Sequence, residues 1–97
     1  MNDVSAKILS DVGPFLAELA RLGFEPVAAR YDALAFGNYE IDLAGQSRSF
    51  SIVRDRLQYY IAGLRSEDLV AAGMLRAFND RDSFREAVLS WLGAPEA

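Results

Sequence analysis

Between Phe36 and Ile61 the chain reads FGNYEIDLAGQSRSFSIVRDRLQYYI, with apolar and polar residues alternating on a period of two. That period belongs to β-strands with one buried face. The parity of the apolar set changes twice. Tyr39, Ile41 and Leu43 are odd-numbered, Phe50 and Ile52 are even, and Leu57, Tyr59 and Ile61 are odd again. One uninterrupted strand would leave half of these in water, so reversals must separate the groups. The spacing predicts a strand over 34–43, a turn at 44–48, a strand around Phe50 and Ile52, and a turn at Asp55-Arg56. Gly37-Asn38 is an alternative place for a hairpin turn, which would shorten the first of these strands. Asp tolerates turn backbone, and a two-residue loop at Asp55-Arg56 would pair Arg54 with Leu57, Ile52 with Tyr59 and Phe50 with Ile61. A short strand over 27–31, with Val27, Ala29 and Tyr31 on one face, precedes the segment. The expected core set is then Tyr39, Ile41, Leu43, Phe50, Ile52, Leu57, Tyr59 and Ile61.

Helical spacing takes over on both sides. Val4, Ile8, Val12, Phe15, Leu16, Leu19 and Leu22 recur at intervals of three and four, the stripe of an amphipathic helix. Asn2 or Asp3 would cap it, Gly13-Pro14 would kink it, and Gly23 followed by Pro26 would end it. Towards the C-terminus, Ser66 is expected to cap a helix buried through Val70, Met74 and Phe78, with Glu67 and Asp68 at its positive end. Ser83 and Glu86 have the spacing of a capping box for a last helix carrying Phe84, Val88, Trp91 and Leu92, stopped by Gly93 and Pro95. The expected fold is a single α+β domain over 1–97. It has an N-terminal helix, a four-stranded antiparallel meander, and two C-terminal helices packed on one face of the sheet.

Composition narrows the chemistry. The chain has no cysteine and no histidine, which removes thiolate metal sites, Cys-His and Ser-His-Asp nucleophiles, and the usual general base near neutral pH. No catalytic residue, metal ligand or cofactor site is therefore expected. The net charge of −4 argues against nucleic-acid binding. It is carried by residues 1–46, with seven acids against Lys7, Arg21 and Arg30, while acids and arginines balance in 47–97. No apolar run approaches the roughly 20 residues that span a bilayer, and the start lacks a signal-peptide pattern. A cytoplasmic location is the expectation.

The polar face of the strands is the candidate surface. Asn38, Glu40, Asp42, Gln58 and Tyr60 are expected to lie on it, with Ser49, Ser51 and Val53 among them. An outward tyrosine among carboxylates and amides resembles a recognition surface in composition. Glu40 and Asp42 lack a third ligand or an enclosing loop, so contact with a partner is a better use for them than catalysis. Arg48, Arg54 and Arg56 cluster around the third strand, and alternation puts Arg54 on the core side, where it would stack on Tyr39.

The pieces Phe36-Gly37-Asn38, Val53-Arg54-Asp55-Arg56 and Trp91 resemble a pattern in small bacterial α+β proteins, several of them similar to immunity proteins of toxin systems. The resemblance implies binding through an acidic surface, with no catalytic residue to carry over. Leu57 departs from it, since glycine is common after that turn in the resembled proteins. The expected function is a non-enzymatic module that binds a basic protein partner through Glu40, Asp42, Tyr60, Asn38 and Gln58. The alternative is a structural homodimer joined through sheet edges or a helix stripe.

Overall fold

Period-two and period-3.6 segments fold as their spacings require. The computed structural model describes residues 5–32, 34, 37–46 and 48–93. Helix α1 (Ala6–Arg21) leads into strands β1 (Glu25–Asp32), β2 (Asn38–Gly45), β3 (Arg48–Asp55) and β4 (Gln58–Ala62), and helices α2 (Ser66–Ala71) and α3 (Arg81–Trp91) follow. The strands form one open antiparallel sheet in the order β1-β2-β3-β4. This is the expected α+β meander with flanking helices.

In α1 the stripe Ile8, Val12, Phe15, Leu16 and Leu19 is buried. Ser5 caps it, its Oγ accepting the Ile8 N–H at 3.2 Å; Asn2, Asp3 and Val4 lie outside the described residues. Pro14 has no N–H to offer the preceding turn, and the helix kinks beside it, with Val12 at φ −126°, ψ 16°. Gly23, at φ 92°, then closes the helix. Its N–H donates to the Ala20 carbonyl and the Phe24 N–H to that of Leu19, at 3.0 and 2.9 Å, the paired closure that a left-handed residue permits.

Three expectations about the strands change. β1 begins at Glu25, and its register slips between Pro26 and Ala28. The bulge turns Val27 out, so that it is 49% exposed, while Ala29 and Tyr31 pack against the core. Leu34 lies in the turn rather than in a strand, and β2 starts at Asn38, opposite Asp32. The third change concerns the β3–β4 turn, which falls at Arg56-Leu57, one residue later than expected. Asp55 then pairs with Gln58, Arg54 with Tyr59 and Ile52 with Ile61. Every partner moves by two positions, so each side chain keeps its face. Leu57 is the exception: it sits in the loop, 61% exposed, instead of in the core.

Both residues of that loop have positive φ, 52° at Arg56 and 69° at Leu57. A two-residue hairpin loop favours this backbone because it matches the strand twist, but a residue with a Cβ holds it at a cost of roughly 1–2 kcal/mol. Leu57→Gly is therefore expected to stabilise the protein by about 1 kcal/mol. Urea unfolding would show a raised midpoint at unchanged slope.

The C-terminal helices also differ in detail. Ser66 is the first residue of α2, not its cap; Arg65 occupies the cap position without a side-chain cap bond, and its Nε contacts Asp68 at 3.3 Å. α2 is too short to bury a long stripe. Leu69 is buried while Val70 is exposed, and Met74 and Phe78 enter the core from the segment beyond Gly73. Phe78 also exchanges two backbone hydrogen bonds with Tyr59, at 2.8 and 2.7 Å, on the outer edge of β4. In α3 the cap is Asp80, whose carboxylate accepts the Ser83 N–H at 2.9 Å, rather than Ser83 itself. An Asp three residues ahead of Ser83 offers a charged acceptor to the same orphan N–H. Phe84, Val88 and Leu92 are buried; Trp91 is half-buried with its ring 5.3 Å from Phe50, and Pro95 lies outside the described residues. Phe84 is the centre of the core, with Phe15, Tyr59 and Phe78 all within 6.0 Å of its ring. A two-pronged ion pair from Arg85 to Glu18, at 2.6 and 2.5 Å, ties α3 to α1.

Candidate binding face

The strand register sorts the sheet into cross-strand rows. On the face away from the helices one row runs Arg30, Glu40, Val53, Tyr60, and the next runs Ala28, Asp42, Ser51, Ala62. Glu40, Asp42 and Tyr60 are thus brought onto one face, with Val53 between Glu40 and Tyr60. The rows end in an open depression of about 380 Å³, whose lining includes Arg30, Asp32, Asn38, Glu40, Val53, Asp55 and Tyr60. The Tyr60 ring is half-buried, and its hydroxyl makes no hydrogen bond among the described residues.

The acidic pair is not bare. Arg30 Nη2 lies 3.0 Å from Glu40 Oε2 and 3.2 Å from Asp42 Oδ2. Ser51 donates its hydroxyl to Asp42 Oδ1 at 2.6 Å. This hydrogen bond, followed by the Arg30 guanidinium, holds the Asp42 carboxyl below its usual range. One arginine against two carboxylates leaves the cluster negative but structured. Arg30 was legible in the sequence only as a charge; it joins the site because Ala29 and Tyr31 face the core and the residue between them must face outwards.

Asn38 and Gln58 are engaged within the chain. Asn38 Nδ2 donates to Asp55 at 3.0 Å, and its Oδ1 accepts the Arg56 N–H at 2.9 Å, so it braces the strained β3–β4 turn. Gln58 Nε2 donates to Asn79 at 2.7 Å. Both sit at the margin of the face and hold its frame.

A second polar constellation lies on the helix side and escaped the sequence reading. Asp11, one residue before the kink, accepts hydrogen bonds from the Tyr39 hydroxyl at 2.6 Å and the Tyr59 hydroxyl at 2.9 Å. Arg81 Nη1 donates to its side chain at 3.3 Å and to its carbonyl at 3.1 Å. Arg54 Nε stands 3.8 Å from the same carboxylate and makes no hydrogen bond among the described residues. Arg54 is on the core side as alternation required, but its guanidinium lies over Tyr59, 5.8 Å from the ring centre, rather than over Tyr39. Burial first, then donation to Asp11, pushes the Tyr39 phenol far above its ordinary value, and Tyr59 moves the same way for the same reasons. Phenols held neutral beside a carboxylate already saturated with donors make a structural knot, joining α1, β2, β3, β4 and α3. Its only sequence signal was an acid two residues before Gly13-Pro14, beside the expected kink.

Among the described residues no group of three or more acidic, histidine or cysteine side chains is placed to hold a metal ion, and no helix is long and apolar enough to cross a membrane. Comparison with known proteins finds no matching family model, no matching characterised protein and no matching solved structure.

Proposed function

We propose that this chain is a non-enzymatic protein-binding module that receives its partner on the open sheet face, in the depression beside Tyr60. The observation that carries this reading is the pairing, among the described residues, of a sheet face without a covering helix and a half-exposed tyrosine whose hydroxyl has no internal partner. A ring of this kind, beside Val53 and with Glu40 one strand further along the same row, supplies apolar area and an unsaturated polar tip at one point, as binding hot spots do. Asp32, Glu40 and Asp55 outnumber Arg30 and Arg54 around the depression, which favours a basic partner. Occlusion of that partner in the bacterial cytoplasm, in the manner of an immunity protein, is the role the resemblance supports.

The test is differential capture from extract of the native cell. The wild-type chain is expected to retain one stoichiometric partner, and Tyr60→Ser is expected to weaken retention at least about tenfold, the scale of a hot-spot truncation. Glu40→Lys should act in the same direction. Circular dichroism should show both variants folded, because neither side chain belongs to the core. A partner held equally well by all three chains, or no partner at all, would remove the reading.

A further inference from the structure

The two edges of the sheet are finished differently. Tyr59 spends its outward backbone groups on Phe78, which closes the β4 edge there. Backbone bonding alternates from side to side along an antiparallel strand, so the rest of the sheet follows from Tyr59. Gln58 and Tyr60 bond to β3, Arg54 and Ile52 to β2, and Glu40 and Asp42 to β1, where Arg30 and Ala28 receive them. Ala29 and Tyr31 therefore turn their N–H and C=O groups away from the sheet, and neither has a backbone partner there among the described residues. Among the described residues, the side chains between and beside them are also incompletely used. Arg30 reaches Glu40 and Asp42 through Nη2 alone, and Asp32 accepts the Leu34 N–H through Oδ1 alone.

We propose that this edge is a self-association surface, on which β1 pairs antiparallel with β1 of a second copy about a two-fold axis at Tyr31. Only residues that both point outwards can exchange bonds across such an axis, which restricts the choice of centre. A centre at Arg30 would set two guanidiniums directly opposite each other, which is unfavourable. A centre at Ala29 would run the ladder into the bulge at Pro26–Ala28. A centre at Tyr31 sets Arg30 opposite Asp32 of the second copy on both sides of the axis, and brings the two Tyr31 rings together on the helix face. Charge complementarity thus selects one register and makes it isologous. The outer faces of the two copies become one continuous surface; Arg30 and Asp32 border both the joint and the depression, whereas Tyr60, on which the partner-binding reading is tested, lies on β4. Loss of self-association would leave the partner-binding reading untouched.

Sedimentation equilibrium from micromolar to about millimolar concentration tests this directly. A short edge contact predicts a dissociation constant in the micromolar-to-millimolar range, so the mean mass should climb from one chain towards two. Asp32→Arg and Arg30→Asp should each weaken self-association at least tenfold, since like charges then face each other. An equimolar mixture of the two variants should recover it, because opposite charges again meet at both crossings. If Arg30→Asp does not fold, Tyr31→Cys serves instead: it introduces the chain's single thiol on the axis, where Cα separations of about 5.5 Å allow a disulfide, and oxidation should yield a linked dimer. A wild-type chain that keeps the mass of one copy at the highest concentration overturns the proposal. So does an Asp32→Arg variant that associates as well as wild type, a folded pair whose mixture does not recover, or a thiol variant that does not link.

Discussion

Gly45→Ala is expected to cost about 3 kcal/mol or more, the largest loss that a methyl group added at any glycine of this chain would bring. Gly45 ends β2 on the helix side, where the chain leaving α1 crosses it. A Cβ there would sit 2.7 Å from the Gly23 carbonyl carbon and 3.0 Å from the Phe24 Cα, and closer still to the Gly23 oxygen. These are backbone atoms, and they are fixed from both directions. Gly23 is held by its hydrogen bond to Ala20, Phe24 by its bond to Leu19, and the adjacent Gln46 donates its side-chain amide to the Leu22 carbonyl. No side chain can swing aside, so the strand end and the helix terminus must separate. Overpacking a site that can relax costs roughly 1–3 kcal/mol, and this site sits at the top of that range or beyond it. For a domain of this size that corresponds to a fall in melting temperature of roughly 10–20 °C. Differential scanning calorimetry would measure it; a loss under about 1 kcal/mol would mean that the two backbones are not in contact.

Asp11→Ala is expected to be nearly as damaging, at about 2–3 kcal/mol. The substitution removes little apolar packing, but it strands the Tyr39 and Tyr59 hydroxyls and deprives Arg54 and Arg81 of their shared anion. Leaving half-buried donors and charges unmatched costs more than the net worth of the bonds themselves. The carboxylate keeps 22% of its surface exposed, which holds the figure below that of a fully buried pair. Tyr39→Phe, which removes one donor and leaves the anion served by the others, should cost only about 1 kcal/mol. The pH dependence separates this knot from ordinary packing. Both phenols have raised pKa values in the folded protein, so the stability they contribute is fully present below pH 10.0, the unfolded value, and is lost as the pH climbs towards their folded values. In Asp11→Ala the carboxylate no longer opposes phenol ionisation. Ultraviolet absorbance titration should then find Tyr59, the less buried of the two, ionising at lower pH than in wild type, and the further loss of stability above pH 10.0 should be correspondingly smaller. An unchanged titration would show that burial alone governs both phenols.

Most of the architecture was legible because alternation and helical spacing report which face of an element is buried. Seven of the eight expected core residues of the strands are buried, and the eighth, Leu57, shows where the reading fails. Parity tells which face a residue occupies but is blind to a shift of two, so it could not distinguish a turn at Asp55-Arg56 from one at Arg56-Leu57. What decides between them is backbone twist at the loop, a demand that the residue types Arg and Leu do not announce. Val27 failed for a related reason: a bulge after Pro26 inserts a residue and changes its face without changing the pattern on either side. The caps moved because several acceptors compete at each helix start. Ser83 is a sound cap by type, yet Asp80 is three residues ahead with a charge. The candidate site was half legible. Glu40, Asp42 and Tyr60 followed from strand phase, whereas Arg30 joined them through a pairing of β1 with β2 that no local pattern encodes. The Asp11 knot draws on residues up to 70 positions apart, beyond the reach of periodicity.

The two backbone bonds between Phe78 and Tyr59 also bear on the order in which a ribosome delivers this chain. All four strands emerge before Phe78 does, so the meander can assemble while the outward groups of Tyr59 are still bare. Exposed strand edges of that kind recruit other chains. The exposure ends when the link after α2 arrives and lays one residue along the edge. The newly made protein thus passes through a brief interval of vulnerability, set by the time needed to translate from Ala62 to Phe78. Slowing synthesis across that stretch should increase aggregation without altering the finished fold.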